Sequence, residues 1–124
     1  MIVIDSSGWI EFLTDGVLAD EYAKYLRQPA SIITPSIVLY EVYKHAKRLV
    51  SEEAAIDAAA AIQKTRVVPL TDELALVAAD LSLAHKLAMA DAIVLATAQA
   101  HDTNVVTSDA DFAGVPGVLY IPKR

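Results

Sequence analysis

Hydrophobic positions along this chain follow two rhythms. Five short apolar runs stand apart from the rest: Ile2-Val3-Ile4, Ser31-Ile32-Ile33, Arg66-Val67-Val68, Asn104-Val105-Val106 and Val118-Leu119-Tyr120. Runs this short, rich in branched side chains and bounded by polar or turn-forming residues, read as buried strands. Between them lie longer stretches with helical spacing. Ile10 to Leu13 makes one or two turns, and Ala19 to Arg27 places Tyr22, Ala23 and Leu26 on one face before Pro29 ends the helix. Thr34-Pro35 has the form of an N-cap followed by a first-turn proline, opening a helix that runs to about Leu49. Ser51 caps a helix to Gln63 with Glu52 and Glu53 behind it, and Thr71 caps one to about His85 with Asp72 and Glu73 behind it. A last helix spans Met89 to His101.

Strands separated by helices call for an α/β fold with a parallel sheet covered on both faces. Right-handed crossovers give the strands one direction, so their carboxyl ends share an edge, and ligands of such sheets bind outside that edge. No repeat, linker or low-complexity segment interrupts the pattern, and 124 residues suit one domain, 1–124. Hydrophobic residues make up 55% of the chain, enough for a core. Cysteine is absent, which removes disulfides and thiolate chemistry and fits a reducing compartment. No signal peptide or membrane-length apolar run is visible, so a cytoplasmic protein is expected. A net charge of −6 argues against a generic nucleic-acid binder. Lys44, Lys47 and Arg48 nevertheless form a local basic turn.

Four carboxylates stand out against this background. Asp5 ends the first apolar run and Asp109 follows the fourth, within Val105-Val106-Thr107-Ser108-Asp109. If these strands are neighbours, the two acids lie at ends about 5 Å apart and repel unless protonated or bridged by a cation. Glu41 sits inside Ile37-Val38-Leu39-Tyr40-Glu41-Val42-Tyr43, and Asp91 is the one charge between Lys86 and Asp102. Each has a plainer explanation as a cap, a turn residue or a snorkelling surface group. Convergence at the strand-end edge explains all four at once and suits a hard divalent cation, Mg²⁺ or Mn²⁺. No histidine pair offers a zinc site.

Asp5 after IVI, Glu41 within SIVLYEVY, Asp91 within LAMADAIVLATA and Asp109 within VVTSDADF occur in an order that closely resembles the PIN-domain ribonucleases, in particular the small VapC toxins of type II toxin–antitoxin pairs. The resemblance covers essentially the whole chain. It implies a PIN-like three-layer fold with a five-stranded parallel sheet in the order 3-2-1-4-5, and a Mg²⁺- or Mn²⁺-dependent endoribonuclease. Carried over by position, Asp5, Glu41, Asp91 and Asp109 match the family's acids. Asp111 competes with Asp109 for the fourth place, and Ser6 and Thr107 match positions where a hydroxyl supports the site. A VapB-like antitoxin and a homodimer are implied as well.

For phosphodiester cleavage, Asp5 and Asp91 are expected as the principal cation ligands. Asp109 would complete the set, Glu41 would hold a water or a second ion, and a metal-activated water would act as nucleophile. His45, His85 and His101 fall outside the acid motifs. An acidic pocket repels RNA, so the phosphate backbone needs rim cations such as Lys44, Lys47, Arg48 and Lys86, and recognition would favour unpaired loops. Trp9, Ile10, Phe12, Leu13, Leu39, Tyr40 and Tyr43 are core or partner-groove residues. The rival reading is a non-catalytic PIN-like interaction module. An aspartyl-nucleophile domain is disfavoured because Ser-Ser-Gly follows Asp5, and a dinucleotide fold because no glycine-rich loop does.

Overall fold

The computed structural model describes residues 1–123. The elements follow in the order β1 (Ile2–Ile4), α1 (Ser6–Leu13), α2 (Ala19–Leu26), β2 (Ile32–Pro35), α3 (Ser36–Leu49), α4 (Glu52–Gln63), β3 (Arg66–Val68), α5 (Asp72–His85), α6 (Met89–Ala100), β4 (Val105–Thr107) and β5 (Val118–Tyr120). Short 3₁₀ turns at Pro29–Ser31 and Ala110–Phe112 precede β2 and follow β4. The strands form one parallel sheet in the order β3-β2-β1-β4-β5, flanked by six helices. Val3 lies opposite Ile33 on one side and Val105 on the other. The chain turns one way from β1 to β2 and β3, and returns on the other side through β4 and β5. The reversal therefore falls between β1 and β4, where a crevice opens at the strand carboxyl ends.

Burial explains why three-residue strands suffice. Val3, Ile4, Ile32, Ile33, Val105 and Val106 are almost wholly enclosed, each covered by helices on both faces of the sheet. Helix α6 is buried at every position from Ala92 to Ala98, as expected of a helix apolar all round. It packs on β1, β2, β4, α3 and α5. Gly8 permits a close approach at the other end: a Cβ there would stand 2.5 Å from Tyr22 Cε1 and 2.7 Å from Ile4 Cγ2. Among the described residues no single helix is long and apolar enough to cross a membrane.

Local boundaries depart from the sequence reading, most informatively near the strand ends. Thr34 is not an N-cap: β2 continues through Pro35, α3 starts at Ser36, and the Thr34 hydroxyl is spent on a 2.7 Å bond to Thr65. Pairing of Thr34 and Pro35 with Val67 and Val68 holds them in the sheet. Helix α1 begins at Ser6 rather than Ile10, because the Asp5 side chain accepts the Gly8 N–H and starts the helix at once. Strand β4 begins at Val105 rather than Asn104, and β2 at Ile32 rather than Ser31, which lies in a 3₁₀ turn. The caps expected at Ser51 and Thr71 are present, each accepting a backbone N–H three residues on.

Candidate active site

Four elements bring carboxylates to the crevice. Asp5 leaves the end of β1 and caps α1, and is only 3% exposed. Its oxygens accept the Ser7 hydroxyl at 2.9 Å, the Gly8 N–H at 3.1 Å and the Thr107 hydroxyl at 2.6 Å. Thr107 ends β4 and in turn accepts the Asp109 N–H at 3.0 Å. One hydroxyl thus ties the end of β1 to the turn after β4. Asp109 caps the following 3₁₀ turn by accepting the Asp111 N–H at 2.9 Å. Behind this turn, Ser108 and Tyr22 share a buried 2.6 Å hydrogen bond that anchors it to α2.

Asp91 stands in the first turn of α6, whose N-cap is Ala88. The plainer reading of Asp91 as a cap therefore fails. One carboxylate oxygen each from Asp91, Asp109 and Asp111 lie within 4.8 Å of one another. The sequence left Asp109 and Asp111 as alternatives; the 3₁₀ turn presents both. Glu41, half-buried on α3, completes the acidic surround.

The electrostatics follow from this crowding. Burial, with the charges of Asp109, Asp5, Asp111 and Glu41 added, pushes Asp91 up to about 7. Burial also raises Asp5 above the ordinary carboxylate value, with Asp109 adding to the shift and the Thr107, Ser7 and Gly8 hydrogen bonds opposing it. Glu41 is raised by burial and by Asp5, against the Ser6 hydroxyl and the Lys44 ammonium. Ser6 therefore acts on Glu41 and Thr107 on Asp5, two hydroxyls serving different acids. No histidine joins the cluster: His85 lies in the last turn of α5, and His101 bonds the Thr97 carbonyl at the end of α6.

Lys44, Lys47 and Arg48 lie along the exposed side of α3. With Leu39, Tyr40 and Tyr43 they border a groove of about 740 Å³ between α3 and α4. The acids do not line it, so the carboxylate cluster is recognised by its chemistry rather than by volume. Of the aromatic residues named from sequence, Trp9 is core, whereas Tyr40 is 56% exposed.

Comparison with known proteins places this geometry. The PIN domain family model matches residues 2–118. A toxin–antitoxin complex from Klebsiella pneumoniae has a chain 29% identical, with 96% of each chain covered and a TM-score of 0.80. VapC20 of Mycobacterium tuberculosis, described as a sarcin–ricin loop cleaving toxin, is 25% identical over 95% of this chain and 97% of its own, with a TM-score of 0.78. VapBC2 from Rickettsia felis, bound to a promoter DNA fragment, shares the fold at 16% identity, covering 98% of each chain with a TM-score of 0.77. No curated protein sequence matches significantly.

Proposed function

The chain belongs to the PIN domain family, and from that premise we propose that it is a single-domain Mg²⁺- or Mn²⁺-dependent endoribonuclease, the toxin of a toxin–antitoxin pair acting in the cytoplasm. The observation that carries the reading is the grouping of Asp91, Asp109 and Asp111 within 4.8 Å, flanked by Asp5 and Glu41. Mutually repelling carboxylates, with only Lys44 beside Glu41 at the rim to oppose them, suit a hard divalent cation, which relieves the repulsion. Such a cation supplies Lewis-acid polarisation of the phosphoryl group and lowers the pKa of water for in-line attack.

The chain's own residues do the positioning. Asp91, Asp109 and Asp111 would hold the ion. Asp5, whose oxygens are occupied by Ser7, Gly8 and Thr107, would join them by releasing the Ser7 hydroxyl that spans both oxygens. Glu41, whose carboxyl burial raises above its ordinary value, would orient a water or a second ion at the rim. The carbonyl and hydroxyl ties of β1 and β4 keep this set fixed through the reaction, the preorganisation such catalysis needs.

The toxin–antitoxin assignment is supported by the Klebsiella complex, and cleavage of RNA by the activity stated for VapC20. A VapB-like antitoxin would silence the site by placing an Arg or Lys among the carboxylates, through charge-assisted hydrogen bonds. A homodimer is the assembly expected. The test incubates the purified protein with total RNA, with and without Mn²⁺, beside Asp91→Asn and Asp5→Asn. Cleavage should require the metal and vanish in both variants. Cleavage that survives chelation and both substitutions would overturn the reading.

A further inference from the structure

We propose that the groove between α3 and α4 is a stacking subsite for single-stranded RNA, with bases on Tyr40 and Tyr43 and phosphates on Lys44, Lys47 and Arg48. The inference deepens the ribonuclease reading and rests on it for the fate of the RNA.

Three observations carry it. The first is composition: three of the chain's ten Lys and Arg residues border this one groove, and none of its sixteen Asp and Glu residues lines it. In a protein of net charge −6, that is a local complement to a polyanion. The second is the pairing of rings and cations. Lys44 Nζ lies 5.5 Å from the Tyr40 ring centre and Lys47 Nζ 5.4 Å from that of Tyr43. Each ammonium also donates to its tyrosine hydroxyl, at 3.3 and 3.4 Å. Two aromatic platforms with a cation beside each are what a strand of unstacked bases requires. A duplex hides its base faces and could not use the rings. The third is continuity with the acids. Glu41 and Lys44 are three residues apart on one side of α3, and Lys44 lines the groove, so the groove and the carboxylate cluster share a border on α3. The three cations span ~6 Å along the helix axis. The one ion pair in the way, Lys47 with Glu52 at 3.8 Å, is exposed at both ends, and phosphate displaces such pairs at little cost.

Fluorescence anisotropy tests this with the full chain carrying Asp91→Asn, so that RNA is not cut, and a labelled oligouridine or a blunt RNA duplex as probe. Tyr40→Ala should weaken oligouridine binding roughly 5- to 150-fold, and Tyr40→Trp should restore it. Duplex binding should not respond to either. Lys44→Gln with Lys47→Gln should lower the salt slope by about 1.4. With Asp91 intact, Tyr40→Ala should raise KM and leave kcat within about twofold. Thermal melting checks that the exposed Tyr40 change leaves the fold intact. Unchanged oligouridine affinity and salt slope, or no RNA binding by the parent chain, would overturn the proposal. So would a Tyr40→Ala protein that changes only in oligomeric state, which would make the groove a contact between copies. Cleavage indifferent to all these substitutions would remove the subsite and leave the nuclease reading standing. Tyr40-dependent binding by a chain that cuts no RNA would do the reverse.

Discussion

Replacing Asp91 with Asn should stabilise the metal-free protein at neutral pH while destroying its cation site. Asp91 has an ordinary value of 3.8 and is held at about 7 in the fold. Between those values the folded chain keeps a proton that the unfolded chain has released, so stability falls as pH rises through that window. A difference of about 3 corresponds to a ceiling of ~4 kcal/mol. Asp91 is only partly buried, and solvent screening cuts the figure to ~1–2 kcal/mol. Against this, Asn gives up the favourable place of a carboxylate in the first turn of α6, worth ~0.5 kcal/mol. The net gain at pH 8 is ~1 kcal/mol, or about 4 °C in Tm for a domain of this size. Calorimetry in chelator at pH 5, 6.5 and 8 measures it. The variant's advantage should grow from pH 5 to about pH 7 and level off by pH 8, and excess Mn²⁺ should reverse the ranking. At a hundredfold excess over Kd the wild type gains ~2.7 kcal/mol that the variant cannot. An Asn protein that is less stable at pH 8, or an advantage independent of pH, would refute the account of Asp91 as a carboxylate crowded by its neighbours.

Thr107→Val removes the 2.6 Å donor to Asp5 and the acceptor of the Asp109 N–H. It should cost ~1.5–3 kcal/mol in urea unfolding, and a loss below about 0.5 kcal/mol would show that the bridge between β1 and β4 is dispensable. Tyr22→Phe deletes the buried bond to Ser108 and should cost ~1 kcal/mol. An unchanged midpoint with unchanged metal affinity would mean that the turn bearing Asp109 and Asp111 needs no anchor in α2. Gly8→Ala forces a methyl to within 2.5 Å of the Tyr22 ring and should cost ~1–3 kcal/mol through overpacking; a neutral result would show that α1 and α2 shift freely.

The sheet was legible because both of its signals are local. Three-residue runs such as Ile2-Val3-Ile4 have no polar face, and only a strand covered on both sides buries such a run. The parallel order then followed from the intervening helices, and the order of strands from the resemblance to the PIN family. What local pattern could not deliver was the junction at Thr34-Pro35. The pair has the look of a helix start, but its partners are Val67, Val68 and Thr65, some thirty residues away. The same holds for Asp5. Reading it either as a cap or as a site residue supposed that one role excludes the other, whereas its Oδ1 caps α1 while its Oδ2 receives Thr107 from β4. Tyr22 carried no signal at all beyond its helical spacing, since its hydroxyl meets Ser108 across 86 positions of sequence.

The acidic cluster was legible for a different reason, which also explains its energetics. An isolated charge in an apolar setting has to find an edge or a partner, and Glu41 and Asp91 both stand out in sequence by that rule. In the fold neither finds a basic partner that neutralises it. They are buried beside other acids, with Lys44 opposing only at Glu41, and the cost, burial first and repulsion second, appears as carboxyl groups held above their ordinary values. The Asp109 and Asp111 pair was ambiguous because its spacing alone suits a turn with one carboxylate facing out. The 3₁₀ turn from Ala110 to Phe112, fixed by the fully buried Phe112, is what presents both to Asp91. A destabilised group of acids at the reversal point of a parallel sheet is therefore supported by the rest of the molecule: the enclosed strands, the buried Ala92–Ala98 stretch of α6 and the Thr107 tie supply stability that the site itself lacks. If so, cation binding and folding draw on the same repulsion, and variants that relieve it one carboxylate at a time should become more robust and less able to hold a metal together.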